Sequence, residues 1–154
     1  MKEKNVFISH YGKDDEHIGK LKDLLSKKGY TIKNSSIDST KPNRATNPEY
    51  IRRLLRLRIH WAGTFICLIG DKTHTREWVN WEIEQAAMKG KRIVGVYING
   101  ASEAEVPESF NLYGNALVGW TGDKIIEAIE GKNNFEAPDG SPRVSPDGTF
   151  RSTC

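Results

Sequence analysis

The stretch GTFICLIGDKTHTREWVNWEIEQAAMKGKRIVGVYI, residues Gly63 to Ile98, decides the fold. Thr64–Ile69 is a short apolar run rich in β-branched residues and closed by Gly70 and Asp71. Arg92–Ile98 is a second run of the same kind. Runs that are apolar on both faces suit parallel strands with helices on either side. The residues between them are enough for a crossover helix, so the stretch is a βαβ unit. The helix is expected to start near Thr75 and to stop at Gly90, a fitting residue just past a helix end. At about 100° per residue, Val79, Ile83, Ala86 and Gly90 share the face turned to the sheet. Trp78, Glu82 and Gln85 form the neighbouring stripe, which places Glu82 beside the buried face rather than within it. The Asp71–Thr75 loop then lies at the carboxyl edge of the strands, where open α/β sheets take their ligands.

The rest of the chain alternates in the same way. Asn5–Ser9 is a first strand, and Ile18, Leu21, Leu24 and Leu25 follow at helical spacing behind Asp14 or Asp15 as a cap. Gly29 ends that helix, and Tyr30 opens a second strand. Asp38–Thr46 is polar and holds a proline, as a loop does. Asn47, Pro48 and Glu49 start a helix whose Ile51, Leu54, Leu55 and Ile59 turn inward. Beyond the βαβ unit come a short helix or turn from Val106 to Tyr113, a strand over Ala116–Trp120 and a helix over Asp123–Glu130. Such alternation predicts an α/β, flavodoxin-like three-layer fold with a five-stranded parallel sheet in the order 2-1-3-4-5. The domain is expected over residues 1–131. Residues 132–154, rich in Asn, Pro, Gly and Ser, are expected to be a flexible tail dispensable for folding, with Phe135 and Phe150 the two side chains able to anchor it.

Composition narrows the function classes. A net charge of +3 over 154 residues is too small to argue for nucleic-acid binding without a clustered basic face. No apolar run is long enough to cross a membrane, and the N-terminus has no apolar core of a signal peptide. Two cysteines, one of them in a strand, make neither a disulfide framework nor a metal site. The expectation is a reduced, cytoplasmic protein with no metal, no nucleic acid and no membrane among its partners.

Phe7-Ile8-Ser9-His10, followed by Asp14-Asp15, resembles the first strand and loop of the TIR and TIR-like domains. Trp78-Val79-Asn80-Trp81-Glu82 resembles their W-x-x-x-E signature, in the form of the bacterial stand-alone type found in Thoeris antiphage defence. Ala86-Ala87, Gly90-Lys91 and Ile93–Val96 fit as well, so the resemblance runs from Val6 to Glu130. Many such domains cleave NAD at the nicotinamide–ribose bond with the glutamate of that signature. The resemblance thus implies NAD as substrate, Glu82 as the catalytic residue, and an activity of NAD glycohydrolase, ADP-ribosyl cyclase or transferase type. It also implies self-assembly through TIR-like surfaces and an ADP-ribose-derived signal that reaches a separate effector. The absence of a fused receptor or effector domain in the chain fits a stand-alone signal producer.

The chemistry is coherent on its own terms. Breaking the bond develops oxocarbenium charge on the ribose. Nicotinamide leaves as a neutral base, so no general acid is required, and one carboxylate facing the cation suffices. Water as the acceptor gives ADP-ribose, an internal nucleophile a cyclic form, and another small molecule a conjugate. Ser9, His10, Tyr11, Thr73 and Trp78 are the candidate substrate-binding residues around Glu82. Trp78 is equally a core-edge residue or a stacking platform for nicotinamide. A His10–Glu82 pair is open, and Arg52, Arg53, Arg56 and Arg58 read as a solvated face. The usual phosphoacceptor Asp of response regulators is missing, since Gly70 precedes Asp71 at the end of strand three. Two other readings stand beside the enzyme: a non-catalytic TIR-like interaction adaptor, and a nucleoside deoxyribosyltransferase-like enzyme with a glutamate nucleophile.

Overall fold

A computed structural model describes residues 2–11, 16–34, 48–98, 100, 105–138 and 141. Five strands, β1 (Lys2–Ser9), β2 (Tyr30–Asn34), β3 (Thr64–Ile69), β4 (Arg92–Tyr97) and β5 (Ala116–Val118), pair in parallel in the order β2-β1-β3-β4-β5. The helices are α1 (Glu16–Ser26), α2 (Pro48–Trp61), α3 (Glu77–Met88), α4 (Glu108–Tyr113) and α5 (Gly122–Ile129). The flavodoxin-like α/β fold read from the sequence is therefore the fold observed. Asp14, Asp15 and the Asp38–Thr46 loop lie outside the described residues.

Alternation along each strand builds two cores. Val6, Ile8, Ile66, Leu68, Val94 and Val96 turn to α1 and α5, where Leu21, Leu25, Ile125, Ala128 and Ile129 meet them. Phe7, Phe65, Cys67, Ile69, Ile93 and Tyr97 turn to the other face, under Leu55 and Ile59 of α2, Val79, Ile83 and Ala86 of α3 and Phe110 of α4. This is why the runs Val6–Ile8, Phe65–Ile69 and Ile93–Val96 hold no polar side chain. Gly95 lets Phe110 lie against the sheet: a Cβ there would come within 2.7 Å of the Phe110 ring. Among the described residues, no helix is long and apolar enough to cross a membrane.

Boundaries shift in places. β1 begins at Lys2, three residues earlier than expected, because Lys2–Val6 pair with Tyr30–Asn34 of β2. Thr73–Thr75 form a separate 3-10 turn ahead of α3. Gly90 ends α3 with φ 68°, and the Gly90 and Lys91 amides donate back to the Ala87 and Ala86 carbonyls, a helix-closing pair that favours glycine. Past the expected domain boundary at 131, Phe135 bridges to Leu117 in parallel. The Leu117 amide donates to the Asn134 carbonyl at 2.7 Å, and the Glu136 amide to the Leu117 carbonyl at 2.8 Å. The first residues of the expected tail thus lie docked beside β5, with Phe135 packed against the core as an anchor. Phe150, with the rest of 142–154, lies outside the described residues.

Candidate active site

β1 and β3 end side by side at the carboxyl edge, with Ser9 paired to Cys67 in register. Both residues turn to the α3 side, and both are small. Their short side chains leave room beneath α3, and the Glu82 carboxyl occupies it. Ser9 Oγ donates to Glu82 Oε1 at 2.6 Å, with Ser9 1% and Glu82 6% exposed. Glu82 is thus part of the buried face of α3, together with Val79, Ile83 and Ala86. This corrects the expectation that it flanks that face. Helical angle alone puts Glu82 about 60° from Val79, but two small strand residues widen the buried arc on that side. Serine, not histidine, is the partner: His10 turns back, its Nδ1 donating to the Ile8 carbonyl at 3.1 Å.

Burial sets the electrostatics. It pushes the Glu82 carboxyl up to about 8, and the Ser9 hydrogen bond pulls partly the other way. Burial, and then the neighbouring Glu82, push the Cys67 thiol far above its ordinary value. Cys67 is therefore an unreactive thiol that helps shape the floor of the site.

The other stripes of α3 have separate tasks. Trp78 and Trp81 stack on each other, with centroids 5.3 Å apart and planes at 14°. Arg52 lies over Trp78 at 6.0 Å and Arg56 over Trp81 at 5.5 Å, while Arg56 Nε donates to Gln85. Trp78 and Gln85 therefore belong to the α2–α3 seam, and two of the four arginines read as a solvated face form part of it. On the opposite stripe, Asn80 accepts from the Ser109 amide at 2.9 Å and Glu84 from Ser109 Oγ at 3.3 Å, which joins α3 to α4.

Thr73 is wholly buried: its Oγ1 accepts from the Gly70 amide at 2.8 Å and donates to the Leu68 carbonyl at 3.4 Å. Its hydroxyl is committed to shaping the loop after β3. Tyr11 lies at the exit of β1 beneath Arg76, whose guanidinium carbon is 3.9 Å from the ring centroid. Of the candidate residues, the structure joins Ser9 directly to Glu82 and places His10 and Tyr11 on the adjoining β1 exit. It puts Trp78 in a helix–helix seam and Thr73 inside a turn. Cys67 and Arg76 were not among the sequence candidates. The β1–β3 adjacency, once placed in register, is the signal that reveals Cys67.

The site is thus a buried glutamate on the helix after β3, bonded to the last residue of β1 at the carboxyl edge of a parallel sheet. The model for the TIR-like domain of Thoeris protein ThsB matches residues 7–103, and the chain belongs to that family. ThsB1 of Bacillus cereus (strain MSX-D12), named as a candidate cyclic ADP-D-ribose synthase, is 29% identical over an alignment of 92 positions that covers 50% of this chain and 48% of that protein. The chain thus spans about half the length of this curated relative. Among solved structures, a 2-deoxyribosyltransferase from Bacillus psychrosaccharolyticus aligns with a TM-score of 0.53 at 16% identity, covering 73% of this chain and 84% of that one. A conserved protein from Enterococcus faecalis V583 aligns at 0.52 and 11% identity, covering 88% and 91%. These two likenesses are of fold alone.

Proposed function

We propose that the protein is an NAD-cleaving enzyme in which Glu82 is the catalytic carboxylate. The observation that supports this is the Ser9–Glu82 pair, buried at the carboxyl edge of the sheet. An interaction module has no use for such a group. A buried carboxyl raised to about 8 lowers stability at neutral pH, where an apolar side chain of that size would raise it. Perturbed carboxyls of this kind gather where chemistry is done.

In the proposed reaction the bond between ribose C1′ and the nicotinamide nitrogen breaks, and its electron pair goes to the pyridinium ring. The ionised Glu82 stabilises the cation left on C1′. The acceptor then bonds to C1′ and gives its proton to the carboxylate. Ser9 holds the carboxyl in one rotamer and opposes its rise in pKa. The family and the ThsB1 relative support an ADP-ribose-derived product, cyclic or conjugated, as a signal to a separate effector in cytoplasmic antiphage defence.

The test is nicotinamide release from NAD by protein isolated from phage-challenged cells, compared between wild type and Glu82→Gln. The variant is expected to lose activity by ~10²–10³-fold, the usual worth of such a placed group. Because the ionised form acts, wild-type kcat/KM is expected to rise with pH and to level off above about 8. Equal activity of the two proteins would remove the proposal.

A further inference from the structure

The geometry points to Arg76, whose guanidinium carbon sits 3.9 Å over the Tyr11 ring, as the residue that holds the diphosphate of the nucleotide substrate. This inference rests on the reading of the site just given. Two stitches join the exit of β1 to α3. One is the Ser9–Glu82 hydrogen bond, and the other is the contact of Arg76 with Tyr11, two residues past the end of β1. Arg76 caps α3, six residues ahead of Glu82, so the two stitches lie about 9 Å apart along the helix axis. That is the scale of a ribose carrying its 5′-phosphates. A substrate with its anomeric carbon at Glu82 would bring its diphosphate towards Arg76.

The arginine is poised for an anion. A guanidinium held over an aromatic ring spends none of its N–H donors on that contact, which leaves the fork that grips two phosphate oxygens for an anion. Arg76 is exposed, and among the described residues no carboxylate pairs with it. By contrast, Arg52 is paired with Glu49 at 3.0 Å, and Arg92 donates to the Ala128 and Lys132 carbonyls. Lys72 lies in the same loop and adds charge of the same sign. Tyr11 is then a positioning residue, since its ring lies under the guanidinium and holds it at the β1 exit.

The experiment is calorimetric binding of ADP and of adenosine to the full chain, a readout that needs no activation. Wild type and Glu82→Gln are expected to bind ADP more tightly than adenosine. Arg76→Ala is expected to lose about tenfold or more of that preference, as a charge-assisted contact implies. Tyr11→Phe keeps the ring face and is expected to match wild type, while Tyr11→Leu weakens ADP alone. Melting temperatures of the variants separate a lost contact from a lost fold. A wild type that shows no preference for ADP, or an Arg76→Ala protein that melts earlier but keeps the preference, would overturn the inference and leave Arg76 as a tether. Failure of NAD cleavage to depend on Glu82 is a separate result, read from nicotinamide release.

Discussion

Glu82→Gln should stabilise the protein, and by an amount that grows with pH. In the folded chain the carboxyl is raised from 4.5 to about 8 by burial. Below pH 4.5 both folded and unfolded states carry the proton. Between 4.5 and 8 the unfolded chain has lost it and the folded chain has not. The unfolded state therefore binds fewer protons, and wild-type stability falls as pH rises through that window. Each pH unit within it is worth about 1.4 kcal/mol, so the loss between pH 5 and pH 8 is on the order of 3 kcal/mol. Glutamine has no proton to lose. It can still accept the Ser9 hydrogen bond, and the cost of its second amide hydrogen is the same at every pH. The gap in melting temperature between variant and wild type should therefore widen by roughly 6–12 °C from pH 5 to pH 8. Thermal unfolding of both proteins across that range, followed by circular dichroism, measures it. A gap that stays constant with pH would refute the buried, proton-bearing carboxyl and the corrected placement of Glu82 with it.

Ser9→Ala removes the hydrogen bond that lowers the Glu82 value, so the pH–rate limb should move upward and the rate at pH 7 should drop by up to about tenfold; nicotinamide release measured against pH checks it. Gly95→Ala forces a methyl into the Phe110 ring and Leu117, and should cost about 1–3 kcal/mol in urea unfolding. A chain ending at Gly131 should fold but lose about 1–3 kcal/mol, because the two Leu117 backbone bonds and the Phe135 anchor go with the deleted segment; coincident urea curves would show the segment contributes nothing. Glu84→Gln, on the α4 side of the helix, should leave NAD cleavage nearly intact, and a loss as large as that of Glu82→Gln would point to a general acidic patch instead of one placed group.

What the sequence discloses and what it withholds divides along physical lines. Strand runs that are apolar on both faces could be read directly, and β3 falls at Thr64–Ile69 as expected, with every one of its residues buried. The order of strands followed from alternation and the crossover rule. The inward turn of Glu82 was hidden because a 3.6-residue period ranks faces by their apolar content. It says nothing of the small Ser9 and Cys67 that make a polar hollow beneath one edge. Trp78 misled in the opposite sense: an aromatic one turn ahead of the acid looks like part of its site, but α2 supplies Arg52 and Arg56 to draw both indoles sideways. The Phe135 segment was masked by its composition, since two backbone bonds and one ring hold it, and neither shows in a count of apolar residues.

That docked segment also changes what the sheet can recruit. An edge strand offers a row of open amides and carbonyls, and such a row is a template for strands of other molecules. At β5 the row is three residues long, and its outward-facing donor and acceptor, both on Leu117, are already taken by Asn134 and Glu136. A foreign strand arriving at this side would have to evict a piece of the same chain before it could form its first bond. The fold thus carries its own plug at β5, and no other strand can pair with Leu117 while that segment stays docked.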